Sequence, residues 1–587
     1  MTLVEDRPRL TPRAAAESWL AAFEAALQSR DAAAAADLFL ADGLWRDLLA
    51  FTWTIETIAG RAAIEATLRA TLVRTQPANF HIPPRRTPPR RVSRAGTEAI
   101  EAIFEFDTAF GPGNGVVRLV SDPRTPERLR AWTLNTNLHE LRGHEEQFKR
   151  RAEPDSTRDF GAANWLDRLR EARAYAGRDP AVVVVGGGQA GLCIAARLHQ
   201  LGIDTLIVDR HERVGDNWRK RYHSLTLHNE VHVNHLPYMP FPPTWPVYIP
   251  KDMLANWFEA YVDAMELNVW TGTALTGGSY DEARKQWNVT LRRSDGTERV
   301  MHPRHLIFAT GVSSIPSMPD LPGLDAFAGT VVHSGDFKNA EQWKCRKVLV
   351  LGTGTSGHDV AQELHAHGAE VTVIQRSRTY VVSLKEAQSV YAIYSEGIPF
   401  DDCDLLATSF PYPLLQRSYQ LSTARGREVD KALLEGLEKC GFRLHCGEDE
   451  TGFQMMYLRR GDGYYFNVGC SELIMSGAIK LLQFADIEKF VAQGARLRDG
   501  RGVPAELLVL ATGYKNQQVA VRLYLGDEIA DKIGPVWGFD DGGELRNMWR
   551  RTAQRGLWFT AGSLAQCRIF SRYLALQIKA LEEGLLS

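Results

Sequence analysis

Apolar positions in the first part of the chain recur with helical spacing, since Ala14 to Ser29 places Trp19, Leu20, Phe23 and Leu27 along one face of an alanine-rich segment. Further helices are predicted over Ala32 to Leu40 and Gly60 to Leu72, and Trp45 to Glu56, rich in Trp, Phe, Thr and Ile, reads as a strand between them. Alternation of apolar and polar residues then predicts strands at Ala99 to Asp107, Val116 to Ser121 and Leu129 to Leu141. Helices followed by antiparallel strands make an α+β unit. Arg142 to Asp179 breaks the pattern: it is dense in charge, with Glu145-Glu146 and Lys149-Arg150-Arg151, and carries one helical stretch, Trp165 to Tyr175. It reads as a solvated connecting helix.

After Pro180 the pattern becomes short, wholly apolar strands followed by glycine-rich turns and helices, the signature of parallel α/β structure. Ala181 to Val185 runs into Gly186-Gly187-Gly188-Gln189-Ala190-Gly191, a GxGxxG turn between a strand and a helix predicted over Leu192 to Leu201. In such a turn Gly186 permits the tight bend and Gly188 lets the backbone approach a pyrophosphate, while Gly191 allows the helix to pack on the strand. The next strand, Asp204 to Val208, ends at Asp209, where an acid is expected to hydrogen-bond a ribose hydroxyl.

Lys347 to Leu351 leads into a second such turn, Gly352-Thr353-Gly354-Thr355-Ser356-Gly357, before a helix predicted over His358 to His367. Here the following strand, Glu370 to Ile374, ends in Gln375-Arg376-Ser377-Arg378 with no acid. A ribose 2′-phosphate is repelled by a carboxylate and paired by guanidinium groups, so Arg376, Ser377 and Arg378 favour NADPH over NADH. The other reading of the two arginines is a pair of solvated loop cations.

Composition narrows the possibilities. With 587 residues, several domains are expected. The 69 basic and 71 acidic residues, for a formal charge of −2, give no reason to expect nucleic acid as a partner. Neither a signal-like N-terminus nor a run long enough to span a membrane is present, so a cytoplasmic location is expected. Seven scattered cysteines contain no CxxC pair, which argues against a zinc site, and Cys440 with Cys446, the closest two, lack the context of a redox-active pair.

Further segments carry a family resemblance. Asp209-Arg210, Gly215-Asp216-Asn217-Trp218, Tyr222 to His228 and Leu236 to Pro242 resemble the FAD part of flavin-containing monooxygenases, especially the YUCCA-like branch. Ala309-Thr310-Gly311 and Ala511-Thr512-Gly513 resemble the segments that join the flavin and nicotinamide domains in that class, and Phe327 to Lys338 matches its FxGxxxHxxx(aromatic) fingerprint. Gly556 to Gln566, including Gly562 and Ser563, resembles the segment that closes the FAD domain beside the flavin. Within the first part of the chain, Gly43-Leu44-Trp45-Arg46-Asp47 and the order of elements resemble the nuclear transport factor 2-like (SnoaL-like) cone, in which a pocket carboxylate, here Asp47 or Asp107, would be the candidate for chemistry. A dimerisation or lid module is the preferred reading of that unit, which makes a homodimer through it the expected assembly.

The fold expected from the whole is α/β, with two Rossmann-type dinucleotide-binding domains and an N-terminal α+β cone-like domain. The expected boundaries are 1–142 for the cone, 143–178 for the linker helix, 179–340 and 506–587 for the two parts of the FAD domain, and 341–505 for an inserted NADPH domain. The resemblance implies a monooxygenase in which NADPH reduces FAD and one oxygen of O₂ passes through a peroxyflavin to a small hydrophobic substrate, by N- or S-oxygenation or oxidative decarboxylation. Phe337-Lys338 stands where Baeyer–Villiger members carry tryptophan with proline or aspartate, which makes ketone oxidation an alternative rather than the first reading. An NADPH oxidase or dehydrogenase with the same cofactors, and a ligand-binding flavoprotein, are the others. Residues expected at the FAD are Gly186, Gly188, Gln189, Ala190, Gly191, Asp209, Arg210, Gly215, Trp218, Ala309, Thr310, Gly311, Gly562 and Ser563, although Trp218 is equally compatible with a core position. Gly352, Gly354, Thr355, Ser356, Gly357, Arg376, Ser377 and Arg378, with Ala511, Thr512 and Gly513 at the crossing, are expected at the NADPH. Asn229 best matches the class's amide near the reacting oxygen, with Asn234 as the fallback, and His333 is expected to support the domain junction. Substrate contacts are expected from Ser383 to Met456, where Tyr391, Tyr394, Phe410, Tyr412 and Tyr419 are either core or pocket.

Overall fold

A computed structural model of the protein describes residues 10–147 and 160–586. Lys149-Arg150-Arg151 lies outside the described residues, and within the connecting stretch the helix covers Trp165–Ala174, stopped at Tyr175 in the left-handed region.

The first part contains α1 (Pro12–Gln28), α2 (Ala32–Asp37) and α3 (Arg61–Thr75) with β1 (Phe39–Leu48), β2 (Ile55–Ala59), β3 (Ala78–His81), β4 (Arg90–Arg94), β5 (Thr97–Thr108), β6 (Gly111–Asp122) and β7 (Thr125–Leu138). Thr11 caps α1 by accepting from the Ala14 amide, and Pro12 occupies the first turn, where its missing donor costs nothing. The expectation for Ala32 to Leu40 overran. That helix stops at Asp37 because Phe39 already pairs with Ala131 of β7. The single strand expected over Trp45 to Glu56 is instead a hairpin, with β1 and β2 antiparallel. Its turn holds Leu49 and Trp53 at φ of +72° and +60°, and the Asp47 carboxylate at its root accepts from the amides of Phe51 and Thr52. A short acid binding its own turn in this way is local chemistry that hydrophobic patterning does not report.

The sheet runs β2-β1-β7-β6-β5-β3, with β4 also on β5. Aromatic rings fill its interior: Trp19 stacks on Phe23 at 4.9 Å, Phe80 stacks on Phe106 at 5.0 Å, and Phe51 meets Trp45 edge to face. Asp47 is fully buried and committed to Thr136, Thr52 and the turn amides, while Asp107 sits at an exposed edge on Asn79.

Two five-stranded parallel sheets follow. In the first, the strands Asn268–Trp270, Thr205–Val208, Val182–Val185, His305–Phe308 and Leu557–Phe559 lie side by side. In the second, the order is Thr330–His333, Leu507–Leu510, Lys347–Leu351, Glu370–Gln375 and Lys480–Gln483. Their central strands are apolar along nearly their whole length because both faces are covered, as parallel sheets require. In each, the strand entering a glycine turn pairs with the strand that leads into an Ala-Thr-Gly segment. The helix Leu564–Glu582 packs on Gln189–Gln200, so the end of the chain lies beside the first glycine turn. Among the described residues, no helix is long and apolar enough to cross a membrane.

Candidate functional site: two glycine loops on one cavity

The glycine turns are built alike. Gly186 and Gly352 have φ of +114° and +123°, and a Cβ on either would come within 2.6 Å of the Ala309 carbonyl or 2.3 Å of the Ala511 carbonyl. A side chain at Gly191 would stand 1.9 Å from the Gly186 carbonyl, and one at Gly357 2.2 Å from that of Gly352. Each turn is therefore pressed between its own helix and an Ala-Thr-Gly segment, and only glycine fits. Both helices begin a turn earlier than the apolar pattern indicates, at Gln189 and Thr355, with Gly188 and Gly354 as N-caps that make no side-chain capping bond. The first amides of each helix are thus left without an intrahelical or side-chain partner at the positive end of the dipole, which suits a pyrophosphate.

One cavity of about 920 Å³ runs past both turns. On the first side it is lined by Gly186, Gly188, Gln189, Ala190, Asp209, Arg210, Trp218, Ala309, Thr310, Gly311, Gly562 and Ser563. The Asp209 carboxylate accepts from the amides of Gly187 at 2.6 Å and His211 at 2.8 Å, which fixes it at the end of its strand. Trp218 donates to the Gln189 side chain, which in turn donates to the Gly562 carbonyl, and Ser563 caps the last helix. The buried hydroxyls of Thr310 and Ser314, which also line the cavity, have no hydrogen-bond partner among the described residues. Open helix N-termini and orphaned hydroxyls facing one space fit a bound dinucleotide. Two expected residues are not on the cavity wall: Gly191 packs helix against strand, and Gly215, at φ +86°, packs on Ala255, where a Cβ would meet the carbonyl at 2.4 Å.

On the second side, Gly352, Gly354, Thr355, Ser356, Gly357, Ala511, Thr512 and Gly513 line the same cavity, with Arg376, Ser377 and Arg378 exposed on its rim. Arg376 lies against the Ser377 hydroxyl at 3.4 Å, and neither arginine makes an ion pair among the described residues. His333 is buried, donates from Nε2 to the Gly513 carbonyl at 3.1 Å and accepts at Nδ1 from the Gly335 amide. Burial holds its pKa below the ordinary value, so it is a neutral strut under the crossing segment.

One part of the remaining wall carries rings and neutral polar groups, while Lys220, Arg221, Asp336, Lys338, Asp359 and Arg460 line other parts of it. His228, in edge contact with Phe466 at 4.7 Å, is pushed down to about 4 by burial and is neutral at pH 7. Asn229 lies beside Tyr391, whose hydroxyl is raised by burial and moderated by hydrogen bonds with the amide side chains of Gln454 and Asn229. Asn234 is spent elsewhere, since its amide donates to the carbonyls of Asn229 and Glu230. Of the aromatics singled out between Ser383 and Met456, Tyr391 lines the cavity and Tyr419 stands behind it near Gln454. Tyr394 bonds Asp404, Phe410 lies under Arg118, and Tyr412 meets Arg459 and Phe539. Phe453 and Gln454 fall within the expected stretch Ser383 to Met456 without having been singled out, and Tyr457, Tyr464 and Phe466 were missed; all five belong to no motif and reach the cavity through the packing of Gly452–Arg460 and Tyr464–Asn467. All seven cysteines are free and none lines the cavity.

A family model described as pyridine nucleotide-disulphide oxidoreductase matches residues 183–393. The indole-3-pyruvate monooxygenase YUCCA1 of Oryza sativa subsp. japonica is 31% identical over 338 residues, which is 57% of this chain and 77% of the relative. The probable indole-3-pyruvate monooxygenase YUCCA4 of Arabidopsis thaliana is 29% identical over 338 residues, 57% of this chain and 76% of the relative. Among solved structures, the closed form of cyclohexanone monooxygenase superimposes with a TM-score of 0.52 at 18% identity, over 69% of this chain and 85% of that one, a likeness of fold. The chain belongs to the flavin monooxygenase family that includes the YUCCA proteins, and is an NADPH-dependent oxidoreductase using FAD and NADPH.

Proposed function

We propose that FAD lies on the Gly186 turn and NADPH on the Gly352 turn, and that the cavity between them holds a small hydrophobic, aromatic substrate to which one atom of O₂ is transferred. The observation that carries this reading is the continuity of the cavity, into which both turns open and whose wall between them includes the rings of Tyr391, Phe453, Tyr457, Tyr464 and Phe466. FAD, reduced by NADPH, supplies the activation of O₂. The chain's own part is positioning and exclusion of water. Tyr391, Phe453, Tyr457, Tyr464 and Phe466 close the wall, neutral His228 adds no charge, and the Asn229 amide is a hydrogen-bonding group held on that wall beside Tyr391. Arg376 and Arg378 on the rim suit the 2′-phosphate.

On this reading residues 341–505 form the nicotinamide part inserted between 179–340 and 506–587, and 1–142 is an accessory cone-like unit. A homodimer through that unit is not carried forward, because its β4–β6 face is engaged by residues 396–410 of the same chain. The reaction is N- or S-oxygenation or oxidative decarboxylation, and the names of the relatives put aryl 2-oxo acids first among candidates. The absence of any cysteine from the cavity wall favours oxygenation over disulfide reduction despite the description of the family model. The test is a screen of NADPH-dependent oxygen uptake against aryl 2-oxo acids, amines, sulfides and ketones, with product mass read for an added oxygen or a lost carbon dioxide. NADPH consumption that yields peroxide and no product with every compound would leave an oxidase.

A further inference from the structure

The N-terminal sheet is joined to the rest of the chain by charged groups that apolar strands would not carry without reason. Glu101 and Arg118 are both buried in the middle of β5 and β6, and they pair at 2.9 Å. Around them Arg94 bonds Glu101 at 2.7 Å and Glu396 at 2.5 Å, and Arg90 bonds the same two carboxylates. Arg118 continues to the Ser409 hydroxyl at 2.8 Å. Asp402, which is 2% exposed, accepts from Arg86 and from both the amide and hydroxyl of Thr87 at 2.6–2.7 Å. Between these polar clamps Ile103 and Val116 pack on Leu405 and Leu406. A network this fully satisfied fixes geometry and does not simply glue two surfaces.

What it holds is the helix Phe400–Thr408 and the 3-10 segment Gln388–Ser395 before it. The far side of the same helix is held by Arg568 of the last helix, which grips Asp404 with both arms at 2.7–2.8 Å, and Tyr394 donates to that carboxylate. The 3-10 segment is thus suspended between the N-terminal sheet and the last helix. From it, Tyr391 reaches into the cavity, and Gln388 donates to the carbonyl of His228 at 2.8 Å, next to Asn229.

We propose that the N-terminal sheet is a positioning platform for the substrate wall: through Glu396 and Asp402 it sets the place of Gln388–Ser395, and hence of Tyr391, and so determines which substrates fit and how well the cavity excludes water. Glu396 and Asp402 act through Tyr391 and are positioning residues. The inference rests on the reading of the central cavity as the substrate site.

Glu396 is the place to cut, because Arg90 and Arg94 keep Glu101 when it is gone. The FAD-loaded full chain carrying Glu396→Ala is compared with wild type and with Thr57→Val, which removes one docking bond to Glu544 and leaves in place the Arg46 contacts to Glu544 and to the Thr408 carbonyl. Glu396→Gln, which keeps an acceptor, serves as the milder variant and replaces Glu396→Ala if that fails to fold. Amide hydrogen exchange across 388–408 is expected to speed up several-fold in Glu396→Ala, less in Glu396→Gln and not in Thr57→Val. For a compound the wild type oxygenates, KM for that compound and peroxide released per NADPH should rise several-fold, with flavin content and KM for NADPH as in wild type. Unchanged exchange at 388–408, or faster exchange with peroxide yield and substrate KM unmoved, overturns the proposal, as does an equal effect of Thr57→Val. If the wild type oxygenates nothing, the substrate reading falls, while exchange and peroxide per NADPH still decide the clamp.

Discussion

The Tyr222 hydroxyl donates a 2.6 Å hydrogen bond to the Asp359 carboxylate, tying the segment after Trp218 to the helix that follows the second glycine turn. Ser224 and Glu363 make a parallel tie one turn along, and the Arg221 guanidinium donates to the Tyr514 hydroxyl at 2.7 Å. Burial raises Asp359 to about 6 and the Tyr222 bond opposes that rise. Because Asp359 lines the cavity beside Thr355 and Gly357, its negative form repels a dinucleotide's phosphates.

It follows that kcat/KM for NADPH should fall as pH rises through about 6. In Tyr222→Phe the charged form loses its donor, so the inflection should move upward by about one pH unit, the worth of a hydrogen bond to a charged group. Taking the difference between the two proteins cancels the titration of the cofactor's own phosphate. Superimposable profiles would mean that Asp359 does not govern binding.

Asp47 gives a second pH dependence, this time in stability. Burial is its largest influence and raises it to about 6 against an ordinary value of 3.8, despite bonds from Thr136, Thr52 and Phe51. A folded-state pKa above the unfolded one means that this group's stabilising contribution is full below 3.8 and is lost as pH rises through about 6. Asp47→Asn removes the titration. Its melting temperature relative to wild type should therefore be more favourable at pH 8 than at pH 5, by the equivalent of about 1 kcal/mol. A difference that stays constant with pH would show that Asp47 is not the titrating group.

The two glycine turns, their strands and the acid-versus-arginine contrast at Asp209 and Arg376 were legible because each is a local rule: backbone that tolerates no Cβ, or charge that matches charge. The hairpin at Leu49 to Thr54 was not, since its direction is set by one carboxylate binding amides four and five residues on. Away from the turns and crossing segments, Asn229, Asn234 and Tyr391 are the wall residues singled out in the sequence. Phe453 and Phe466 arrive there from separate elements, and nothing in their spacing distinguishes pocket from core. The docking of the first sheet left one readable trace, the ionisable Glu101 and Arg118 in the middle of otherwise apolar strands.

Arg376 and Arg378 should decide between the two nicotinamide cofactors. Both are exposed on the rim and make no ion pair among the described residues, so replacing them removes no structural contact of consequence. The double variant Arg376→Ala/Arg378→Ala is expected to raise KM for NADPH at least tenfold, the equivalent of about 1.4 kcal/mol or more for lost charge-assisted bonds, and to leave KM for NADH nearly unchanged. Steady-state oxidation of each cofactor measures this. Parallel losses for NADH and NADPH would place the 2′-phosphate elsewhere.

The near-identity of the two turns allows the cofactor assignment to be tested one turn at a time. An alanine at Gly191 or at Gly357 would put its methyl 1.9 Å or 2.2 Å from a backbone carbonyl, at the point where helix and strand are closest. A carbonyl in a buried parallel strand's exit cannot swing aside as a side chain can, so the helix must lift from the turn and the open amides at Gly188 or Gly354 lose their aim. Because the turns belong to different sheets, the damage should stay local. Gly357→Ala is expected to purify with its flavin and its visible spectrum, yet to show flavin reduction by NADPH slowed by a hundredfold or more, while dithionite still reduces it fully. Gly191→Ala is expected to purify largely colourless. The reverse result, flavin lost from Gly357→Ala and kept by Gly191→Ala, would exchange the two assignments, and with them the argument that Arg376 and Arg378 meet a 2′-phosphate.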